Sequence, residues 1–168
     1  LFSIDITTPL GEYVPRIGVA LNETRDISFI FDPTIIYLDN TLVEAQSGEQ
    51  LIILRFSNPT PGIWKFNVFG RGIHPMRFNI WLPMNDFIKE DTYFIRSSPN
   101  TTLLSVSCTT VPIAVTAYNV EDDSLYLNSG RGYTRINEVK PDIAAPGVDI
   151  TAPSLNHDFV EMSGTSAA

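Results

Sequence analysis

The sequence contains few basic residues and no cluster of them. It has 11 Lys and Arg residues against 19 Asp and Glu residues, and its formal net charge at pH 7 is −8. Proteins that bind a phosphate backbone depend on clustered Lys and Arg side chains. The composition therefore argues against a nucleic-acid partner.

Cysteine and long apolar runs are also scarce. No stretch approaches the roughly 18 consecutive apolar residues of a membrane-spanning helix, so we expect no membrane partner. Cys108 is the only cysteine, which excludes an internal disulfide and any zinc site that needs two thiolates. We expect Cys108 to be a small core residue, and we expect neither a metal nor another cofactor.

Both ends of the sequence have the pattern of a piece cut from a longer protein. The chain opens on a strand-like alternation over residues 1–7, with no basic start or continuous apolar run. It stops after Ser166-Ala167-Ala168 without a helix stop signal. We therefore expect the sequence to be a fragment.

The first half alternates apolar and polar residues with the period of two that is typical of strands. Phe2, Ile4 and Ile6 share one face of the first such segment, and the turn signal Thr8-Pro9-Leu10-Gly11 ends it. Similar segments are predicted at residues 17–21, 26–31, 34–38, 41–44, 50–56, 64–69 and 77–82. Their spacing predicts a mainly β fold, with a jelly-roll-like antiparallel β-sandwich over residues 1–95.

The aromatic residues of this half fall mostly at apolar strand positions, where we expect them to pack between the two sheets. A stacked platform for a sugar ligand is the alternative. The residues concerned are Phe29, Phe31, Phe56, Trp64, Phe66, Phe78 and Trp81.

The pattern changes in the second half. It becomes less regular near residues 83–86 and more polar over 97–102, which predicts a junction. Residues 112–118 then form a continuous apolar run, typical of a strand buried on both faces in a parallel sheet. The acidic run at residues 121–123 predicts a solvated turn, because the ligands of calcium loops stand at alternate positions.

Two motifs near the end of the chain carry a family resemblance. Residues 140–147 read Lys-Pro-Asp-Ile-Ala-Ala-Pro-Gly, and residues 163–168 read Ser-Gly-Thr-Ser-Ala-Ala. In this order they resemble the end of the catalytic domain of subtilisin-like serine proteases, where the second motif carries the nucleophile. Residues 113–118 and 127–132 are similar to a buried strand and a turn of the same family.

The first half resembles the jelly-roll insert of the clostridial germination-protease branch of this family. The likeness rests on residues 2–12, 61–64 and 78–83. In that branch the insert interrupts the catalytic domain between its His and its Ser. The resemblance thus implies an insert at residues 1–95 and, at 96–168, an incomplete C-terminal part of a subtilisin-type α/β sheet.

The residues around Ser166 suit nucleophilic chemistry. Gly164 permits a tight turn, and residues 165–168 can open a helix whose unpaired N–H groups would stabilise an oxyanion. The resemblance implies that Ser166 is the acyl-forming nucleophile, and that Ser163, Gly164 and Thr165 line the substrate and oxyanion neighbourhood. A simple helix cap is the alternative role for Ser166.

A serine nucleophile needs an adjacent base. The resemblance implies a His in a His-Gly-Thr motif and an Asp on an earlier strand, and this sequence has neither. We expect His74 to have a turn or surface role and His157 to precede the strand before the nucleophile. The isolated chain is therefore predicted to be inactive.

The resemblance also implies the setting of the longer protein. It would be a secreted or spore-associated bacterial serine endopeptidase. Its partners would be a peptide or protein substrate and the remainder of its own catalytic domain. Two alternatives stay open: a non-enzymatic sandwich module for adhesion or carbohydrate binding, and a pseudoprotease that lacks the His or the Asp.

Overall fold

The computed structural model describes residues 1–45, 47–72, 76–83, 87–155 and 158–168. His74, His157 and residues 84–86 lie outside the described residues. The described residues contain a short 3-10 helix at Ser105–Cys108, no α-helix and no helix that could cross a membrane. Their strands are β1 (Phe2–Thr7), β2 (Tyr13–Ile17), β3 (Asn22–Ser28), β4 (Ile35–Thr41), β5 (Leu51–Ser57), β6 (Lys65–Gly70), β7 (Val115–Tyr118), β8 (Ile143–Pro146), β9 (Ile150–Pro153) and β10 (Phe159–Met162).

This architecture confirms the predicted mainly β fold. The chain forms two compact units, Leu1–Trp81 and Leu82–Ala168. The domain boundary at residues 95 and 96, which would separate an insert from part of a catalytic domain, stays a prediction.

The first unit contains two antiparallel sheets of three strands each, in the orders β2-β1-β6 and β3-β4-β5. One hydrophobic cluster joins Ile4, Ile6 and Ile17 of the first sheet to Ile36 and Leu38 of the second. The two sheets therefore pack face to face as a sandwich. Burial of each such side chain contributes about 1.5–3 kcal/mol.

The strands differ from the predicted ones mainly at four places. The predicted strand 26–31 lies earlier, as β3 at Asn22–Ser28. The predicted strand 17–21 lies earlier, at β2, which contains Pro15. Proline is tolerated there because β2 is an edge strand and Pro15 lies where the register with β1 shifts, between the pairs Ile4–Ile17 and Ile6–Val14. The predicted strand 41–44 is replaced by the end of β4 and a turn, and residues 76–83 form no strand.

Three of these aromatic residues, Phe29, Trp64 and Phe66, pack against the core as predicted, and Phe56, which contacts two of them, is 36% exposed. The Trp64 ring lies edge-on to Phe56 and Phe29, at centroid distances of 5.1 and 6.0 Å, and Phe66 contacts Phe56. The indole N–H of Trp64 donates to the Thr60 carbonyl. The prediction is wrong for three other aromatic residues, which are exposed: Phe31 (77%), Phe78 (47%) and Trp81 (53%).

A buried polar network joins two loops at one end of the sandwich. The Asp32 carboxylate accepts hydrogen bonds from the N–H and hydroxyl of Thr34 and from the Thr60 hydroxyl. Burial acts to raise the pKa of Asp32, but these hydrogen bonds outweigh it and hold the pKa below its usual value. In addition, the Glu12 carboxylate accepts the N–H groups of three successive residues, 30–32.

Two charged residues of the edge strand β3 lie on the core-facing side of their sheet and stay partly exposed, with side-chain exposures of 30% for Glu23 and 45% for Arg25. Glu23 stands opposite Asn40 and Arg25 opposite Leu38, and Asn40 and Leu38 are fully buried. Residues opposite each other in a ladder share one face of the sheet. The Arg25 Nε and Glu23 Oε1 atoms form an ion pair at 3.2 Å.

The second unit contains a parallel pair, β7 with β8, and an antiparallel hairpin, β9 with β10. Thr116 and Ala117 of β7 are buried, with 8% and 0% exposure. The prediction of a buried strand in a parallel sheet is therefore confirmed for residues 115–118, whereas residues 112–114 precede the strand and Ile113 is 72% exposed. Cys108 ends the 3-10 helix and is only partly buried, so its prediction as a core residue is wrong.

Candidate functional site

The Lys-Pro-Asp segment joins the starts of the two parallel strands. The Asp142 carboxylate accepts from the Ala114 N–H at 2.7 Å and from the Lys140 ammonium at 2.6 Å. Lys140 also donates to the Pro112 carbonyl at 3.0 Å, and its side chain is only 8% exposed. The hydrogen bond from Lys140, and then that from Ala114, hold the pKa of Asp142 below its usual value.

The buried hydroxyl of Ser129 supports β7 from the turn that precedes β8. Its oxygen accepts from the Ala117 N–H at 2.8 Å and from the Thr116 hydroxyl at 3.0 Å. This turn was identified by resemblance alone, and the role of Ser129 in holding β7 was not predicted.

Gly147 connects the Ala-Pro-Gly turn to the end of β7. Its N–H donates to the Tyr118 carbonyl at 3.1 Å. A Cβ atom built on Gly147 would lie 2.6 Å from the Ala117 Cβ and 2.9 Å from the Gly164 carbonyl oxygen. Because real Cβ atoms do not approach so closely, the fold requires glycine at this position.

The hairpin of β9 and β10 leads into the Ser-Gly-Thr-Ser segment. Its last ladder pair joins Met162 to Ile150. At the next position the Ser163 hydroxyl donates to Asp149 Oδ1 at 3.0 Å and accepts the Asp149 N–H at 2.9 Å. This pair was not predicted, because its two residues lie in separate motifs and the contact depends on the register of the hairpin.

The predicted nucleophile lies in a tight turn. The Gly164 N–H donates to the Gly147 carbonyl at 2.8 Å, and the Ala167 N–H donates back to the Gly164 carbonyl at 3.0 Å. Gly164 has φ of +149°, a region that side chains disfavour. Ser166 and Thr165 lie exposed within this turn.

Residues 165–167 form a single turn rather than the predicted helix. One i to i+3 hydrogen bond is too little to nucleate a helix, since nucleation fixes several residues for each bond gained. The structure therefore brings Ser163, Gly164, Thr165 and Ser166 into one short loop and joins that loop to the Ala-Pro-Gly turn.

The acidic run at residues 121–123 is an exposed turn in which the Asp122 carboxylate accepts the Ser124 N–H. Within the part of the chain that the structure describes, no group of three or more His, Cys, Asp or Glu residues is arranged to hold a metal ion. Both histidines lie outside that part.

Comparison with known proteins relates this fold to a protease. No protein-family model matches the sequence, and no curated protein matches it. Among solved structures, the chain has the fold of part of a clostridial protease. That structure is the CspB protease of Clostridium perfringens, with a TM-score of 0.82 and 26% sequence identity.

The match covers 99% of this chain but 35% of the CspB chain. This chain thus spans little more than a third of its structural neighbour. The likeness shows a protease-related fold, and it supports the relationship to subtilisin-like proteases that the motifs suggest.

Proposed function

We propose that this chain is part of a subtilisin-like serine endopeptidase, with Ser166 as its nucleophile. The observation that carries the proposal is the hydrogen bond from Gly164 to Gly147. It joins the two motifs that the resemblance pairs. The likeness to the CspB protease supports the same assignment.

In the longer protein, the Ser166 hydroxyl attacks the scissile carbonyl carbon. A His outside this sequence takes the hydroxyl proton and later gives it to the leaving amine, and water hydrolyses the acyl-enzyme. The backbone N–H of Ser166 is one donor to the developing oxyanion. Gly164 and Thr165 lie next to Ser166 and complete the neighbourhood of the reacting carbonyl.

The proposal includes the partners and the location of the longer protein. The substrate is a peptide or protein, the second partner is the remainder of the catalytic domain, and the protein is secreted or spore-associated. The insert has a structural role, because Trp64 and its aromatic neighbours pack into the sandwich.

Covalent labelling tests this proposal. In the longer protein, a fluorophosphonate probe is expected to modify Ser166, as read by mass spectrometry of the labelled peptide, and Ser166→Ala is expected to abolish both labelling and peptide hydrolysis. Ser97→Ala is the control, since Ser97 is an exposed serine in a different segment. Hydrolysis that persists in Ser166→Ala contradicts the proposal.

This chain, tested without the remainder of the catalytic domain, is expected to hydrolyse no peptide, because loss of catalytic-triad members costs on the order of 10⁶-fold in kcat. Absence of Ser166-dependent labelling in the longer protein identifies a pseudoprotease instead. Saturable glycan binding that Trp81→Ala abolishes favours the carbohydrate-binding alternative.

A further inference from the structure

The hairpin that carries the nucleophile loop ends in a side-chain pair. The backbone ladder of β9 and β10 stops at Ile150 and Met162. One position further, the Ser163 hydroxyl donates to the Asp149 carboxylate and accepts from the Asp149 N–H, at 3.0 and 2.9 Å. A hydroxyl and a carboxylate here take the place of a pair of ladder hydrogen bonds.

Asp149 adopts a backbone conformation that few residues accept. Its φ is +52°, in the left-handed region that glycine, asparagine and aspartate enter most readily. This conformation directs the Asp149 N–H at the Ser163 oxygen. Aspartate thus meets two requirements here: the backbone angle and the acceptor for the Ser163 proton.

The loop that holds Ser166 is fixed at two successive residues. Ser163 is held by Asp149, and Gly164 is held by the Gly147 carbonyl at 2.8 Å. The turn then closes between Gly164 and Ala167. These two contacts therefore fix the backbone immediately before Ser166.

We infer that Asp149 is a positioning residue for Ser166 and acts through Ser163. This inference rests on the proposed function of Ser166. Asp149 does not contact the substrate; it accepts the Ser163 proton and so sets where the turn begins. Because that proton is committed to Asp149, Ser163 anchors the loop and does not donate to the substrate.

Loss of the contact between Asp149 and Ser163 is expected to lower the rate of the chemical step more than it lowers the affinity for substrate. A displacement of about 1 Å at a reacting group costs roughly 100-fold in rate. In the longer protein, Asp149→Ala is therefore expected to lower kcat by about 10- to 100-fold while KM changes by less than about threefold. Asp149→Asn keeps an acceptor oxygen and the left-handed conformation, and we expect it to restore kcat to within about threefold of the parent.

A double-mutant cycle tests the route through Ser163. Ser163→Ala is expected to lower kcat as Asp149→Ala does, and the double variant is expected to be no slower than either single variant, because partners in one contact are not additive. In this chain, Asp149→Ala is expected to raise the amide hydrogen exchange of Gly164 by about 10-fold or more, since its hydrogen bond to Gly147 opens more often.

Asp123→Ala is the matched control. Asp123 also has positive φ, +56°, but lies in the exposed acidic turn. If Asp149→Ala equals Asp123→Ala in kcat and in Gly164 exchange, the positioning role is overturned. If Ser166→Ala leaves labelling unchanged, the proposed function itself fails, so the two failures are distinguishable.

Discussion

The backbone N–H of Gly164 donates to the carbonyl of Gly147 across 2.8 Å, and Gly147 has no room for a side chain. Its missing Cβ would lie within 3.0 Å of both the Ala117 Cβ and the Gly164 carbonyl oxygen. The strand β7, the Ala-Pro-Gly turn and the Ser166 loop therefore meet at one glycine.

We expect Gly147→Ala to destabilise the second unit by about 1–3 kcal/mol, because the added methyl group displaces either β7 or the Ser166 loop. Amide exchange of β7 and of the Ser166 loop, followed by mass spectrometry, measures this effect locally. Gly18→Ala is the control, since a Cβ at exposed Gly18 would meet no atom within 4 Å. Equal exchange in the two variants contradicts the steric explanation.

The pair of Lys140 and Asp142 gives a pH-dependent contribution to stability. The pKa of Asp142 is lowered in the folded chain, so its carboxylate stabilises the fold above the ordinary pKa of about 3.9. This contribution is lost as the pH falls through the folded-state pKa. Lys140→Met is expected to move the Asp142 titration upward, toward the ordinary value.

Carboxyl-detected NMR titration of Asp142 measures this shift. Lys89→Met, which removes a lysine from another segment of the same unit, is the control and is expected to leave the titration of Asp142 unchanged. An unmoved titration in Lys140→Met means that Lys140 does not hold the pKa down.

The polar network around Asp32 is expected to stabilise the first unit. Thr60→Val removes the hydroxyl that donates to Asp32 at 2.8 Å and is expected to cost about 1–3 kcal/mol, because the buried carboxylate loses a donor. Urea unfolding followed by tryptophan fluorescence reports on this unit, since both tryptophans lie within residues 1–81. Thr24→Val is the control: Thr24 donates to Asp39 at an exposed site, and we expect a loss below about 1 kcal/mol there. Equal losses would contradict the role of burial.

Trp64 is expected to be a major contributor to the sandwich. Trp64→Ala removes two edge-to-face contacts and a partly buried hydrogen bond, and the expected loss is about 3–5 kcal/mol. Phe31→Ala serves as the control because Phe31 is 77% exposed. Thermal unfolding followed by circular dichroism measures both. A comparable change in the two variants would show that Trp64 is not a core residue.

The alternation of apolar residues was sufficient to predict β1 and β6 of the first sheet. Ile4 and Ile6 face the core as their spacing predicts, since side chains of a strand alternate between faces. The displaced β2 shows where the pattern fails. In the sequence, Pro15 argues against a strand. A strand can contain this proline because β2 lies at the edge of the sheet, and that position is known only from the folded structure.

The site was predictable in part. The resemblance of the two motifs implied the neighbourhood of Ser166, and the role of that residue stays a prediction. The contacts that hold that loop could not be predicted. The pair of Asp149 and Ser163 depends on hairpin register, and the buried Lys140 owes its position to the carbonyl of Pro112.

The inward-facing Glu23 and Arg25 on the margin of the sandwich have a further consequence for the behaviour of the protein in concentrated solution. A strand from a neighbouring molecule that paired with β3 would move both partly exposed charges further from water, and inward-pointing charges on an edge strand oppose such edge-to-edge pairing. We therefore expect this edge of the sheet to disfavour β-pairing between molecules.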